Sequence, residues 1–143
     1  MKHLAGKSTP IDEDLLEDLR PKIQSGNLIV EDSERVFTLF GQVCNNSDEI
    51  QYEMGGMTQT FQFNLGQQTF TVAFRDGACD VYSGALQAPT VNFTISMRTA
   101  LDIVTGNVHS SVAQMNGDIV YTGPRHDALE FQQIFELFLD EFI

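Results

Sequence analysis

The side chains able to do chemistry in this 143-residue chain are few and scattered. Its three histidines, His3, His109 and His126, stand far apart, and none has a second His or Cys at the spacing a metal site needs. Ser110 and Ser111 follow His109, but adjacency in sequence does not set a nucleophile against its base, and no G-x-S-x-G elbow is present. They read as helix caps. "MGGM" at Met54 to Met57 lacks the Lys-Ser/Thr that completes a phosphate loop, so it reads as a plain loop. Asp12, Glu13, Asp14, Glu17 and Asp18 read as the solvated face of a helix rather than a paired acid and base. Cys44 and Cys79 are two widely spaced cysteines without a C-x-x-C, which predicts buried free thiols. These residues point to no catalytic group, no metal and no cofactor, and the expectation is a protein that is not an enzyme.

Composition narrows the partners. Eight Lys and Arg against twenty Asp and Glu leave a formal charge of −12, and no basic stripe exists to neutralise a phosphate backbone. Nucleic acid is excluded as a partner. The same charge opposes docking on anionic lipid and allows at most transient contact with a neutral membrane. Hydrophobic residues make up 42% of the chain and include eleven Phe, which places it among chains that fold around a core. "MKHLAGKSTP" has no apolar stretch of signal-peptide length and no run is long enough to span a bilayer, so a cytoplasmic location is expected.

The elements that would position these residues follow from periodicity. Residues 1–10 are polar and aperiodic and read as a mobile arm. The rest, 11–143, reads as one domain, beginning with a helix over 11–25 capped by Thr9 and kinked or ended near Leu19 by Pro21. A second helix, opened by Asp32 or Ser33, carries Val36, Phe37, Leu39, Phe40 and Val43 on a wide apolar face. Alternation then sets Phe61, Phe63 and Leu65, and next Phe70, Val72 and Phe74, on one face of paired strands, with a turn at Arg75-Asp76-Gly77. "ACDVYSG" and "TVNFTISM" extend this to an antiparallel meander, with Val91, Phe93, Ile95 and Met97 inward. After Met97 the period changes to that of a helix bearing Leu101 and Val104 and ending at Gly106, followed by a short helix "HSSVAQM". The Asn116-Gly117 turn returns the chain as a fifth strand, Asp118 to Thr122. A last helix aligns Phe131, Phe135, Phe138 and Phe142 in a ridge.

What stands out is apolar excess: an aromatic sheet face and two helices oily over a wide arc. A filled core and a core with a ligand cavity write the same pattern, and periodicity does not separate them.

The order of elements and the stretch "APTVNFTISMRTALDIVTGNVHSSVAQMNGDIVYTG", with Pro89, Val91, Thr94, Ile95, Leu101, Gly106, Ala113, Met115, Gly117 and Gly123, resemble the sterol carrier protein type-two family. "FQFNLG", "FTVAFRDG" and the apolar C-terminal helix agree with it, and the similarity runs from about Val36 to Leu139. The resemblance implies an α+β fold: a five-stranded, mostly antiparallel sheet with one face covered by helices and an apolar tunnel between them. The tunnel would hold a fatty acid, fatty acyl-CoA, sterol or similar lipid. By position in the pattern, Phe74, Phe93, Ile95 and Met97 would form its floor. Phe40, Val43, Leu101, Val104, Val112 and Met115 would form its walls, and Phe131, Phe135 and Phe138 a lid. "DEFI" is not a Ser-Lys-Leu type of address, and the helix at 11–25 is additional to the family pattern. An acyl chain is therefore the expected ligand rather than a sterol. The alternative is a non-catalytic dimerisation or substrate-presenting module for a partner enzyme, in which Leu129, Leu137 and Ile143 of the last helix would be buried in a homodimer.

Overall fold

In the computed structural model, which describes residues 1–142, the chain runs β1 (Lys2–Ala5), α1 (Glu13–Ser25), a single 3-10 turn (Val30–Asp32), α2 (Ser33–Asn46) and α3 (Asp48–Met54). It continues through β2 (Thr60–Leu65), β3 (Gln68–Arg75), β4 (Ala78–Ser83), β5 (Val91–Ile95), α4 (Met97–Val104), α5 (Ser110–Met115), β6 (Ile119–Thr122) and α6 (Arg125–Asp140). The strands form one sheet in the order β1-β4-β3-β2-β5-β6. Alternation sends Phe61, Phe63 and Leu65 of β2 and Phe70, Val72 and Phe74 of β3 to a buried face, because residues two apart share one side of a strand. The helices α2 and α6 cover that face.

The sheet is mixed and six-stranded, not a five-stranded antiparallel meander. β5 lies parallel to β2, with Phe61 opposite Val91 and Phe63 opposite Phe93. Residues 84–90 cause this. β4 ends at Ser83, opposite Phe70 near the β2–β3 hairpin, whereas β5 begins beside Phe61 at the other end of β2. The connecting segment runs back along the sheet, held where Thr71 Oγ1 donates to the Gly84 carbonyl and the Thr90 N–H to that of Thr60.

The sixth strand comes from the residues read as a mobile arm. β1 pairs antiparallel with β4, Lys2 opposite Ser83 and His3 opposite Tyr82, and its register shifts before Ala5 meets Val81. It caps an edge that would otherwise present unpaired backbone groups. Ala5 is buried beneath α2, where Gly41 permits the close approach: a Cβ there would lie 2.7 Å from Val81 Cγ2 and 2.8 Å from Ala5 Cβ.

Two further expectations are corrected in the N-terminal helix. Thr9 holds a turn with Gly6, its N–H donating to the Gly6 carbonyl and its Oγ1 accepting the Gly6 N–H, and the cap of α1 is Asp12, whose side chain accepts from the N–H groups of Asp14 and Leu15. Pro21 neither ends nor interrupts α1, which continues to Ser25. Pro21 faces solvent while Leu19 and Ile23 are buried, so water can satisfy the carbonyl that the missing N–H releases. The Asp76-Gly77 turn behaves as read, with φ of 55° and 74° joining Arg75 and Ala78 in a two-residue hairpin loop. Cys44 and Cys79 are free and buried, and burial pushes the Cys79 thiol well up.

Candidate ligand cavity

An apolar cavity of about 130 Å³ lies between the helices and the β2–β5–β6 end of the sheet. Its floor is Phe63 and Leu65 from β2, Phe93 and Ile95 from β5, and Ile119 and Tyr121 from β6. Val36, Phe37 and Phe40 of α2 form one wall, and Ala100, Ile103 and Val104 of α4 with Gln114 of α5 form another. Over them lies α6, contributing Ala128, Leu129, Phe131, Gln132, Phe135 and Phe138.

Aromatic rings set the cavity's shape. Phe63 and Phe93, opposite each other in the parallel pair, stack at 5.0 Å. Phe131 descends from α6 to within 4.9 Å of Phe63, and it also stands 5.6 Å from Phe40 and 6.3 Å from Phe135, all between ring centres. These separations suit offset and edge-on ring contacts. Phe131 and Phe138 are buried while Phe135 is half-buried, so Phe135 is the most accessible of the three rings.

Of the residues assigned from the sequence, Phe40, Phe93, Ile95, Val104, Phe131, Phe135 and Phe138 line this cavity. The other six do not. Val43 and Phe74 are packed in the solid part of the core. Met97 is no strand residue: Ser96 caps α4, its side chain accepting the Thr99 N–H, and Met97 begins the helix half-buried against the core, as Leu101 does one turn on. Val112 and Met115 are not walls, being 48% and 86% exposed, because the short α5 turns only Ala113 inward. Phe63, Phe37, Ile103 and the β6 pair Ile119 and Tyr121 were missed as lining residues. Alternation already put Phe63 on the inner face, and it was the neighbour of Phe93 that an antiparallel reading could not supply.

The polar groups at the rim are amides. Gln132 Nε2 donates to Ser110 Oγ at 3.1 Å and lies 3.5 Å from Glu136 Oε1. His109 caps α5, its Nδ1 accepting the Ser111 N–H at 3.1 Å, while its Nε2 stands 3.7 Å from Glu136. The cap is therefore His109 rather than Ser110 or Ser111, the residues read as caps from the sequence: Ser110 is the first residue of α5, and Ser111 supplies the N–H that is capped.

Helix α1 braces the end of α6. Arg20 of α1 donates to the Glu141 carbonyl at 3.1 Å and sits 5.7 Å over the Phe142 ring, and Gln24 donates to the Phe142 carbonyl at 2.9 Å. α1 is tied to α2 in turn. Lys22 and Arg35 both reach the buried Asp32, at 3.2 and 3.1 Å, and Arg35 also pairs with Asp18. Burial alone would raise the Asp32 carboxyl, but the Ile29 N–H and these two cations outweigh it and hold the group below the usual carboxylate range.

Of the residues assigned to a dimer face, Leu129 borders the cavity but is 41% exposed, and Leu137 is half-buried against the core, while Ile143 lies outside the described residues. Among the described residues no helix is long and apolar enough to cross a membrane.

The same arrangement of sheet and helices is found in solved structures. The sterol carrier protein domain 2 of Helicoverpa armigera superposes with a TM-score of 0.63 at 18% identity, over 77% of this chain and 91% of that one. The apo form of sterol carrier protein 2 from Yarrowia lipolytica gives 0.60 at 16%, over 73% and 89%. A stereoselective inverting sec-alkylsulfatase from a Pseudomonas species gives 0.59 at 16%, with 78% of this chain spanning only 16% of that protein. Identities this low speak for the fold alone. No curated protein matches by sequence. Residues 40–136, from the α2 wall of the cavity to its α6 lid, match the family model of SCP-2 sterol transfer, and the chain belongs to that family.

Proposed function

We propose that this protein is a non-catalytic lipid carrier that takes the apolar part of its ligand into the cavity beneath α6, working in the cytoplasm and meeting membranes only transiently. The observation that carries this reading is the cavity itself, walled by phenylalanines from sheet and lid and polar only at two amides and one phenol. At about 130 Å³ it is comparable to the engineered apolar cavities of about 150 Å³ that hold benzene, and smaller than the roughly 300 Å³ at which ligand pockets begin. Uptake of a long chain therefore requires the lid to yield. Phe135, half-buried at the lid's edge, is the ring that swings out, opening the cavity into a tunnel with Phe93 and Ile95 as its floor.

Magnitudes are compatible with carriage. Burying a sixteen-carbon chain is worth at most about 12 kcal/mol at about 0.8 kcal/mol per methylene. If half survives ordering and lid opening, about 6 kcal/mol remains, a dissociation constant of some tens of micromolar. Such binding is tight enough to load and weak enough to release. Titration with Nile red, an uncharged dye, tests the proposal: saturable one-to-one uptake that long-chain lipids displace is the expected outcome. Linear, non-saturating adsorption would refute carriage.

A further inference from the structure

We propose that the cavity selects lipids whose polar end is uncharged, such as a long-chain alcohol or ester, over fatty-acid anions and acyl-CoA. The inference rests on the carrier reading and concerns the chemistry at the mouth. Among the described residues no Lys or Arg lines the cavity. Four of the eight in the chain are committed elsewhere, Lys2 to Glu34, Lys22 and Arg35 to Asp18 and Asp32, and Arg98 to Asp102. A buried or half-buried carboxylate without a cation partner is costly, so an acid headgroup has nothing to compensate it here.

The groups that are present favour the opposite chemistry. Gln114 and Gln132 bring amides to the rim; the Gln132 nitrogen is directed at Ser110 and Glu136, which leaves its Oε1 to accept from a hydroxyl, while the Gln114 amide can donate to or accept from a hydroxyl or carbonyl. Beside Gln132 stands the Glu136 carboxylate, 3.5 Å from its Nε2, and the nearby imidazole of His109 has its Nδ1 occupied as a helix cap. An anionic headgroup reaching Gln132 would meet a fixed negative charge within about 8 Å, which at effective dielectric constants from 80 down to 20 disfavours it by a factor of about 2 to 30. The chain's net charge of −12 adds to this at longer range.

The test is competitive displacement of Nile red by 1-dodecanol and by laurate, which share a chain length, at about pH 8, where carboxylic acids are ionised and free imidazole is neutral. Dodecanol should displace the dye at concentrations at least about tenfold below laurate, and lauroyl-CoA should do no better than laurate. Glu136→Gln should narrow the gap severalfold by strengthening laurate. Laurate displacing as well as dodecanol from the unmodified protein would overturn the inference and leave carriage standing. Absence of saturable dye uptake would overturn carriage and the inference together.

Discussion

Phe131 of the lid and Phe63 of the sheet meet with ring centres 4.9 Å apart and planes at 54°, and this contact joins α6 to β2, one of the two central strands. Phe131 also neighbours the rings of Phe61, Phe74 and Phe93, whereas among the described residues the rings beside Phe135 are those of Phe40, Phe131 and Phe138. The two lid phenylalanines should therefore separate stability from uptake. Phe131→Ala is expected to cost about 3–5 kcal/mol. Phe135→Ala should cost about 1–2 kcal/mol, because the ring is only partly buried, and should admit dye more readily. Urea unfolding and dye titration of both variants decide it; equal losses of stability would contradict the distinction.

Charge in the same place should abolish uptake without touching the caps. Phe135→Glu puts a carboxylate at the cavity's edge, next to Phe40, and should raise the dissociation constant for Nile red more than tenfold. His109→Asn keeps a side chain able to cap α5 and should leave uptake within about twofold. Loss of uptake in His109→Asn with an intact circular dichroism spectrum would mean that the imidazole has a role beyond the helix terminus.

Much of this could be read from residue order, and the failures have physical causes. Alternation fixes which side chains of β2, β3 and β5 face inward, but it is the same pattern in a parallel and an antiparallel strand, so the direction of β5 was decided by where residues 84–90 lead. β1 has only "KHLA" to offer, too short for any period, and it forms because β4 has a free edge beside α2. α5 is six residues long, and Val112, Ala113 and Met115 do not establish a phase over so short a helix. Long elements behaved otherwise: Phe131, Phe135 and Phe138 share the face of α6 turned to the core, as their spacing implied.

The packing of α2 on the sheet edge depends on one missing methyl. Gly41→Ala would press a Cβ to within 3 Å of both Val81 and Ala5, and neither neighbour can turn away. The helix must shift or β1 must detach. A loss of about 1–3 kcal/mol is expected despite the better helix propensity of Ala. Hydrogen exchange should localise the effect to β1 and β4, and uniform loss of protection would argue against a local clash.

Acid should weaken the tie between α1 and α2. The Asp32 carboxyl is depressed in the folded protein relative to the unfolded value near 3.9, so its contribution is complete above that value and is lost as pH falls through the lower folded one. Asp32→Asn should cost about 1–3 kcal/mol at neutral pH, since Lys22, Arg35 and the Ile29 N–H all lose a charged acceptor. The gap between the two proteins, followed by urea midpoints, should shrink as pH drops below about 4. A gap independent of pH would assign the loss to packing rather than to charge.

The brace on the lid gives the last prediction. Arg20 and Gln24 hold the carbonyls of Glu141 and Phe142, so the C-terminal end of α6 is pinned to α1 while the end bearing Leu129 and Gln132 borders the cavity mouth. The other end is tied as well, by the Gln59 amide, which donates to Asp127 and Glu130 at 2.8 and 3.0 Å, so the lid is held at both ends. Replacing both residues, Arg20→Ala with Gln24→Ala, removes two hydrogen bonds and a cation–π contact and should cost about 1–2 kcal/mol. Amide exchange should rise in the last turn of α6, and dye should dissociate faster because one of the lid's two ties is gone. Faster exchange confined to residues near Leu129, with the last turn unchanged, would mean that α1 does not restrain the lid.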